Sequence, residues 1–220
     1  MIKSGPNVIN DFRGENEFLS NFYPSILMVD DELYPTLEHA FQAAKTDDLN
    51  FKTQIRNAPT AKEAKRLGRS VVLIPDWDQK RLDVMASLVK QKFTEHLDLK
   101  IRLLLTGDKE LIEGNTWKDR FWGQDQHGVG ENNLGKILVT CRTQIRAAEG
   151  GAFQVLLKFL QTRKLDQMAD HLDQMFKAIE EIECLNKLIA SAVASQQLSN
   201  DCALASTLTV DVSTLLGSLR

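Results

Sequence analysis

Four side chains of mixed chemistry fall on one face of a helix predicted to follow Thr36. Thr36 is a favourable N-cap, and the helical repeat brings Glu38, Phe41, Gln42 and Lys45 to the same side. A carboxylate, an amide and an amine around one aromatic ring are unusual on a helix face that packs on a core. The alternative is a surface helix in which Phe41 is buried and the two charged side chains are solvated.

Tryptophans beside acids form a second group of candidate functional residues. Asp76 precedes Trp77, and Asp119 lies three residues before Trp122. A tryptophan in a polar loop suits stacking on a flat base. The alternative, in which these rings only fill gaps in the packing, fits the sequence equally well.

A glycine-rich loop offers a candidate anion site. Gly128 and Gly130 would let the backbone approach a ligand closely, and a helix beginning near Leu134 would present free N–H groups to a phosphate. The alternative is an ordinary connector in which Asn132 or Asn133 is the N-cap.

Several well-known motifs are missing from the sequence. It has no P-loop and no Gly-x-Ser-x-Gly elbow, and Glu38-His39 lacks the second histidine of a zincin. Gly128-Val-Gly130 falls short of the dinucleotide-binding pattern and follows no clear buried strand. We therefore expect neither a metal nor a cofactor.

Length and composition are those of a globular protein with a sizeable core. The chain has 220 residues, 43% of them hydrophobic and 26% charged, and no apolar run long enough to suggest a membrane span. Without an apolar signal region, and with three widely spaced cysteines, a cytoplasmic protein is expected. Residues 1–147 hold 21 basic and 21 acidic residues, which argues against a non-specific DNA binder but allows a small anionic ligand.

Turn residues and apolar spacing predict short strands near the N-terminus, followed mainly by helices. A strand at 7–12 and a hairpin of 26–29 and 32–34 come first. Helices are predicted after Thr36, from Thr60 to Gly68, from Asp76, from about Leu99 to Thr106 and from Leu134 to about Ala147. Lys62, Lys65, Arg66 and Arg69 line one side of the second helix, where a solvated face is the simpler interpretation. The helix from Asp76 is expected to bury Leu82, Met85, Leu88 or Val89, and Phe93.

The chain after Glu149-Gly-Gly151 differs in character from the part before it. Apolar residues recur there every seven residues, as in packed helices. They are Leu165, Met168, Leu172, Met175, Ile179, Ile182 and Ile189. We predict a domain at 1–148 and a helical extension at 149–220, with a poorly ordered end after Ser199. Its apolar stripe must pack on a partner chain, on the domain or on a second tail helix, and of these we favour self-association into homo-oligomers.

Six separated motifs, in this order, resemble those of a known family. They are ENEFLSNFYP at 15–24, YPTLEHAFQAAK at 34–45, AKRLGR at 64–69, DW at 76–77, DRFWG at 119–123 and GENNLG at 130–135. Together they resemble the NADAR superfamily of YbiA-like N-glycosidases over roughly residues 8–147. The chain differs at Ala40, where many members have an aromatic residue, and its tail has no counterpart in the family's minimal domain.

The resemblance implies a compact α+β domain that hydrolyses N-glycosidic bonds of ribose phosphates or ADP-ribose. Family substrates include pyrimidine intermediates of riboflavin synthesis and ADP-ribosylated guanine. Glu38, Trp77 and Asp119 match functional positions of the family, and Lys45 matches a family lysine. The alternative is a module that binds ADP-ribose or a nucleotide without turning it over.

Under this hypothesis each candidate residue has a role. Glu38 acts at the anomeric carbon, Asp119 orients ribose hydroxyls or water, and Lys45 is a candidate for a Schiff base with an opened ribose. Two tryptophans stack on the base, and cations hold phosphate. The substrate-binding candidates are Trp77, Trp122, Asn21, Arg13, Arg69, Gly130, Asn133 and Lys136. The expected partner is a small ribosyl or ADP-ribosyl substrate, or an ADP-ribosylated base, without membrane association.

Overall fold

The computed structural model describes residues 5–150, and the predicted, mainly helical α+β class is confirmed there. The elements in chain order are β1 (Val8–Ile9), a 3-10 helix (Gly14–Leu19), β2 (Pro24–Val29), β3 (Glu32–Thr36), α1 (Leu37–Ala43), α2 (Leu49–Arg56), α3 (Ala61–Leu67), α4 (Trp77–Glu95), α5 (Leu97–Leu105), β4 (Glu110–Leu111), β5 (Gly114–Asn115), β6 (Gln124–Asp125) and α6 (Asn133–Ala148). The strands pair two by two, β2 with β3 antiparallel and the other pairs parallel. No helix in this part of the chain is long and apolar enough to cross a membrane. The heptad pattern of the tail lies outside the described residues.

The predicted hairpin forms and delivers the chain to α1. Asp30 and Asp31 make its turn with φ values of 52° and 62°, a left-handed conformation that short acidic side chains tolerate. Leu27 pairs with Tyr34, and both side chains are buried against the helices. The second strand continues through Pro35 to Thr36, whose Oγ1 accepts a hydrogen bond from the His39 N–H at 3.3 Å. The predicted N-cap of α1 is thereby confirmed.

Helix α1 lies in the middle of the domain rather than on its surface. All seven of its residues are buried, and it packs against α2, α3, α4 and the hairpin. The surface-helix alternative for Glu38 is therefore excluded, because only 4% of this residue is exposed.

Helix α3 begins at its predicted cap, but the glycine that follows it has a different role from the predicted one. Thr60 Oγ1 accepts from the Glu63 N–H at 3.2 Å, as a capping box requires. Gly68 follows the helix with φ −65°, so it is not the left-handed terminator that its position indicates. A Cβ at this position would lie 2.0 Å from Gln42 Oε1. Gly68 is therefore needed for the close contact between α3 and α1.

Two helices correct the sequence predictions. On α4, Met85, Leu88, Val89 and Phe93 are buried as expected, but Leu82 is 39% exposed. In that first part of α4 Trp77 is buried, and the half-buried Arg81 has its guanidinium carbon 3.7 Å from the centre of the Phe121 ring. Helix α2 was not predicted, because Ile55 is its single buried residue and leaves no apolar stripe to recognise.

Lys92 is an unexpected member of the core. Only 1% of this residue on α4 is exposed, and its Nζ donates a hydrogen bond to the Ser20 carbonyl at 2.8 Å. Burial lowers the pKa of Lys92 to about 7, with Arg102 acting in the same direction and Asp98 against it. In the folded domain the neutral amine of Lys92 therefore predominates above a pH of about 7, well below the pH at which an ordinary lysine loses its proton.

Replacing Lys92 by methionine, which has a similar length and no charge, is expected to change how stability depends on pH. The unfolded chain keeps the lysine proton up to pH 10.5, whereas the folded domain keeps it only to about 7. Wild-type protein therefore gains stability as the pH rises from 7 to 10, by roughly a few kcal/mol at most. Lys92→Met lacks this gain, so its Tm relative to wild type should fall across that range in thermal melts.

Lys90→Met, at an exposed position of the same helix, is the matched control. Its Tm relative to wild type should stay constant over the same pH range. A constant difference for Lys92→Met as well would mean that the Lys92 ammonium is hydrated in the folded state.

Candidate active site

A cavity of about 410 Å³ opens beside α1. Its walls come from the chain after β1, the segment after the 3-10 helix, α1, α3, α4 and the irregular chain between β4 and β6. Six of the candidate residues line it: Arg13, Asn21, Glu38, Lys45, Asp119 and Trp122. The structure thus brings together side chains from positions more than 100 residues apart in sequence.

Glu38 is held firmly at one wall of this cavity. Gln42 Nε2 donates to Glu38 Oε1 at 2.7 Å, and the Glu38 N–H donates to the Asn21 carbonyl at 3.0 Å. Burial raises the pKa of the Glu38 carboxyl, while Lys65, the Gln42 hydrogen bond and Lys45 oppose that shift. The amide that shares its helix face therefore orients this carboxyl and favours its ionised form.

Lys45 lies two residues beyond the end of α1 and borders the same cavity. Its Nζ is 5.5 Å from the centre of the Phe41 ring. Burial lowers the pKa of Lys45, the Glu38 carboxylate opposes the shift, and Lys65 and Arg69 add to it. A lysine in such surroundings has the properties that a nucleophilic amine needs.

Three aromatic rings form a cluster of which only a part faces the cavity. Phe41 lies between Trp77, at 5.3 Å between ring centres, and Trp122, at 5.5 Å in an edge-to-face arrangement. Trp122 borders the cavity, whereas Trp77 is only 6% exposed and is not part of the lining. The placement of Trp77 thus supports packing behind Phe41 rather than the predicted stacking on a base.

Asp119 is fixed by a local network in the irregular chain after β5. Its Oδ1 accepts from the N–H groups of Phe121, at 3.2 Å, and Trp122, at 2.9 Å. Its own N–H donates to Asn115 Oδ1 at 2.9 Å, and Asn115 Nδ2 donates to the Asp119 carbonyl at 2.8 Å. The aspartate therefore sets the position of Trp122 and borders the cavity itself.

The glycine-rich loop is placed differently from the prediction. The first N–H groups of α6 already have acceptors, because Asn133 N–H donates to the Phe121 carbonyl and Leu134 N–H to the Trp122 carbonyl. They are therefore not free to bind a phosphate. Gly130, Asn133 and Lys136 lie outside the cavity lining, and so does Arg69. The loop supports the Phe121–Trp122 segment, which in turn borders the cavity.

The cavity also contains polar residues that were not candidates. Glu113 and Lys65 line it, together with Gln42. Lys65 was assigned to a solvated face, but it is half-buried and lies 5.7 Å from the centre of the Phe22 ring. Glu113 follows a two-residue strand in a stretch without periodicity, so no local signal marks it. Among residues 5–150, no group of three or more acidic, histidine or cysteine side chains is placed to hold a metal ion.

Trp77→Ala and Trp122→Ala are expected to separate two roles of the aromatic cluster, packing of the core and binding of a base. Trp77→Ala leaves a buried void and should lower the free energy of unfolding by about 3–5 kcal/mol. Trp122→Ala should cost less stability but weaken binding of a ribosylated base by about 1–3 kcal/mol. Thermal melts and calorimetric titration measure the two effects. Equal losses of stability, with binding unchanged in both variants, would assign both rings to the core.

Comparison with known proteins places this geometry in a family. The sequence profile of the NADAR domain matches residues 10–146. The chain is 34% identical over 142 residues to N-glycosidase YbiA of Escherichia coli, which covers 63% of this chain and 88% of that protein. It is 39% identical over 132 residues to an N-glycosidase of Nostoc punctiforme, covering 58% and 84% of the two chains.

Two further matches concern a longer protein and a solved structure. A riboflavin biosynthesis protein of Vibrio vulnificus is 37% identical over 150 residues, which is 67% of this chain but only 40% of that protein. The NMR structure of E. coli YbiA superimposes with a TM-score of 0.56 at 29% identity, covering 74% of this chain and 94% of that one. The profile match spans more than half of the chain and agrees with the fold. This chain therefore belongs to the NADAR domain family.

Proposed function

We propose that this protein is an N-glycosidase that hydrolyses the bond between a ribose, as its phosphate or in ADP-ribose, and a nitrogenous base. The observation that carries the proposal is the buried Glu38 carboxyl, held by Gln42 at the wall of a 410 Å³ cavity. Relatives named as N-glycosidases, matching over most of their length, support it.

Glu38 acts at the anomeric carbon of the ribose in this mechanism. Breaking a ribose–nitrogen bond develops positive, oxocarbenium character at that carbon, and an ionised carboxylate nearby stabilises it. The same carboxylate takes the proton of the attacking water. Lys45 and Lys65 favour the ionised form of Glu38. The negative charge of a bound phosphorylated substrate would offset the positive charge of these two lysines.

The remaining cavity groups fit the other parts of such a substrate. Three cations line the cavity, Arg13, Lys45 and Lys65, and phosphate oxygens are suitable partners for them. Trp122 offers a ring face or edge to the base, and Asp119 offers a carboxylate to ribose hydroxyls or water. Arg13 also lies 5.9 Å from the centre of the Trp117 ring, so the cation and a second ring share one side of the opening.

Glu38→Gln is expected to lower turnover by about 100- to 10,000-fold while the domain stays folded, because the change removes the charge and keeps the shape. Purified protein is incubated with ADP-ribosylated guanine and with a ribosylaminopyrimidine phosphate, and the free base is measured. Glu17→Gln, at an exposed position of the 3-10 helix, is the control and should retain the wild-type rate. Binding of these compounds without release of base by wild-type protein would identify a binding module instead.

Lys45→Arg is expected to abolish covalent trapping if the reaction passes through a Schiff base. In that route the Lys45 amine displaces the base nitrogen from C1 of the opened ribose, and water later releases the sugar from the imine. Borohydride reduces the imine, so wild-type protein should gain the mass of one sugar residue. Lys45→Arg keeps the positive charge but cannot form the imine, and the control Lys62→Arg should be trapped normally. An untrapped but active wild-type enzyme would establish direct attack by water.

A further inference from the structure

Glu113 occupies a position that its backbone contacts define closely. It lies between β4 and β5, where its N–H donates to Asn132 Oδ1 at 3.0 Å and its carbonyl accepts from the Gln124 N–H at 2.9 Å. A Cβ on Gly123 would lie 2.1 Å from the Glu113 carbonyl oxygen, so the facing chain must be glycine there. These contacts hold the side chain of Glu113 at the cavity wall.

One carboxylate oxygen of the half-buried Glu113 has no partner in the described part of the chain. Its Oε2 has almost no solvent contact and no hydrogen-bond partner among the described residues. A buried polar atom without a partner destabilises a fold and is therefore rare in native proteins. A ligand in the cavity could supply the missing hydrogen-bonding partner.

Burial raises the pKa of both Glu113 and Glu38, but the charged neighbours of the two carboxyls differ. Burial raises the pKa of Glu113 to about 7, the Asp119 and Glu38 carboxylates act in the same direction, and Lys65 opposes them. Glu38 has two lysines and the Gln42 amide to stabilise its charge. Cations and an amide donor thus face Glu38, whereas carboxylates face Glu113, a difference that suits a base and an acid in one cavity.

We propose that Glu113 is the general acid that protonates the departing base nitrogen, in the cavity that Glu38 also lines. This assignment rests on the proposed N-glycosidase function. Without a proton the nitrogen would have to leave as an anion, which is slow for an ordinary base. Asp119 is less suited to this role, because its Oδ1 already accepts two backbone N–H bonds.

The proton balance closes with these two residues. The C1–nitrogen bond breaks, its electron pair goes to the nitrogen, and the Glu113 carboxyl gives that nitrogen its proton. Water forms the new bond to C1 and gives one proton to the Glu38 carboxylate. Transfer of that proton to Glu113 through solvent restores both groups for the next turnover.

The decisive experiment compares two leaving groups in Glu113→Gln and Glu38→Gln. The first substrate is a ribosylaminopyrimidine phosphate, whose nitrogen needs a proton to leave. The second is 4-nitrophenyl ribofuranoside 5-phosphate, whose nitrophenolate leaves without one. Glu113→Gln should lower kcat about 100- to 10,000-fold on the first substrate and change it little on the second. Glu38→Gln should lower both.

The pH profile gives a second, independent measurement. A general acid must be protonated to act, so wild-type kcat/KM on the first substrate should fall above a pH of about 7. In Glu113→Gln this limb should disappear, while Glu110→Gln, an exposed glutamate on β4, should keep both the limb and the rate. The charged groups that face Glu113 are Glu38, Lys65 and Asp119, and all remain in place in these variants.

The outcomes separate this inference from the proposed function. A wild-type rate for Glu113→Gln on the first substrate, or an equal loss on both substrates, overturns the acid role while the N-glycosidase function stands. A wild-type profile without a limb near pH 7 also overturns it. Failure of wild-type protein to release base from any N-riboside removes the function and this assignment together.

Discussion

The structure depends on keeping one carboxyl group out of water. Glu38 lies on a helix with no exposed residue, and desolvation of a carboxylate is among the most costly events in folding. The Gln42 amide and two lysines offset part of this cost. The low polarity that makes burial costly also strengthens the interactions between Glu38 and its neighbours. The Thr36 cap and the closely packed Gly68 keep α1 in the place where this balance holds.

Charge in this domain is organised locally rather than over the whole surface. Basic and acidic residues balance across the front part of the chain, so no broad field attracts a polyanion. Within the cavity, however, cationic and acidic side chains lie side by side among apolar lining residues. Such a site can discriminate between the two ends of one small molecule, an anionic end and a neutral base. The proposed function requires such a local arrangement, because the charge of the front part of the chain as a whole would not attract a phosphorylated compound.

Local rules predict the features that depend on near neighbours. The aspartate turn, the Thr36 cap and the mixed face of α1 all follow from spacing within about ten residues, and each is present. The same rules cannot tell that Trp77 is buried while Trp122 borders the cavity. That difference depends on the side of the Phe41 ring against which each tryptophan packs. Nor can they single out Glu113, whose surroundings come from α1, α3 and the chain after β5. The family resemblance named Glu38, Trp77, Asp119 and Lys45, and the structure brings all of these except Trp77 to the cavity lining.

The parallel pairing of β1 with β4 has a consequence for biosynthesis. Val8 and Ile9 lie beside Glu110 and Leu111, so this contact closes a loop of about a hundred residues. The cavity takes walls from the chain on both sides of that closure, near Arg13 and near Trp122. A ribosome must therefore deliver almost the whole domain before any substrate can find a complete site. Contacts of such long sequence separation form slowly, so the cavity is complete only at the end of folding.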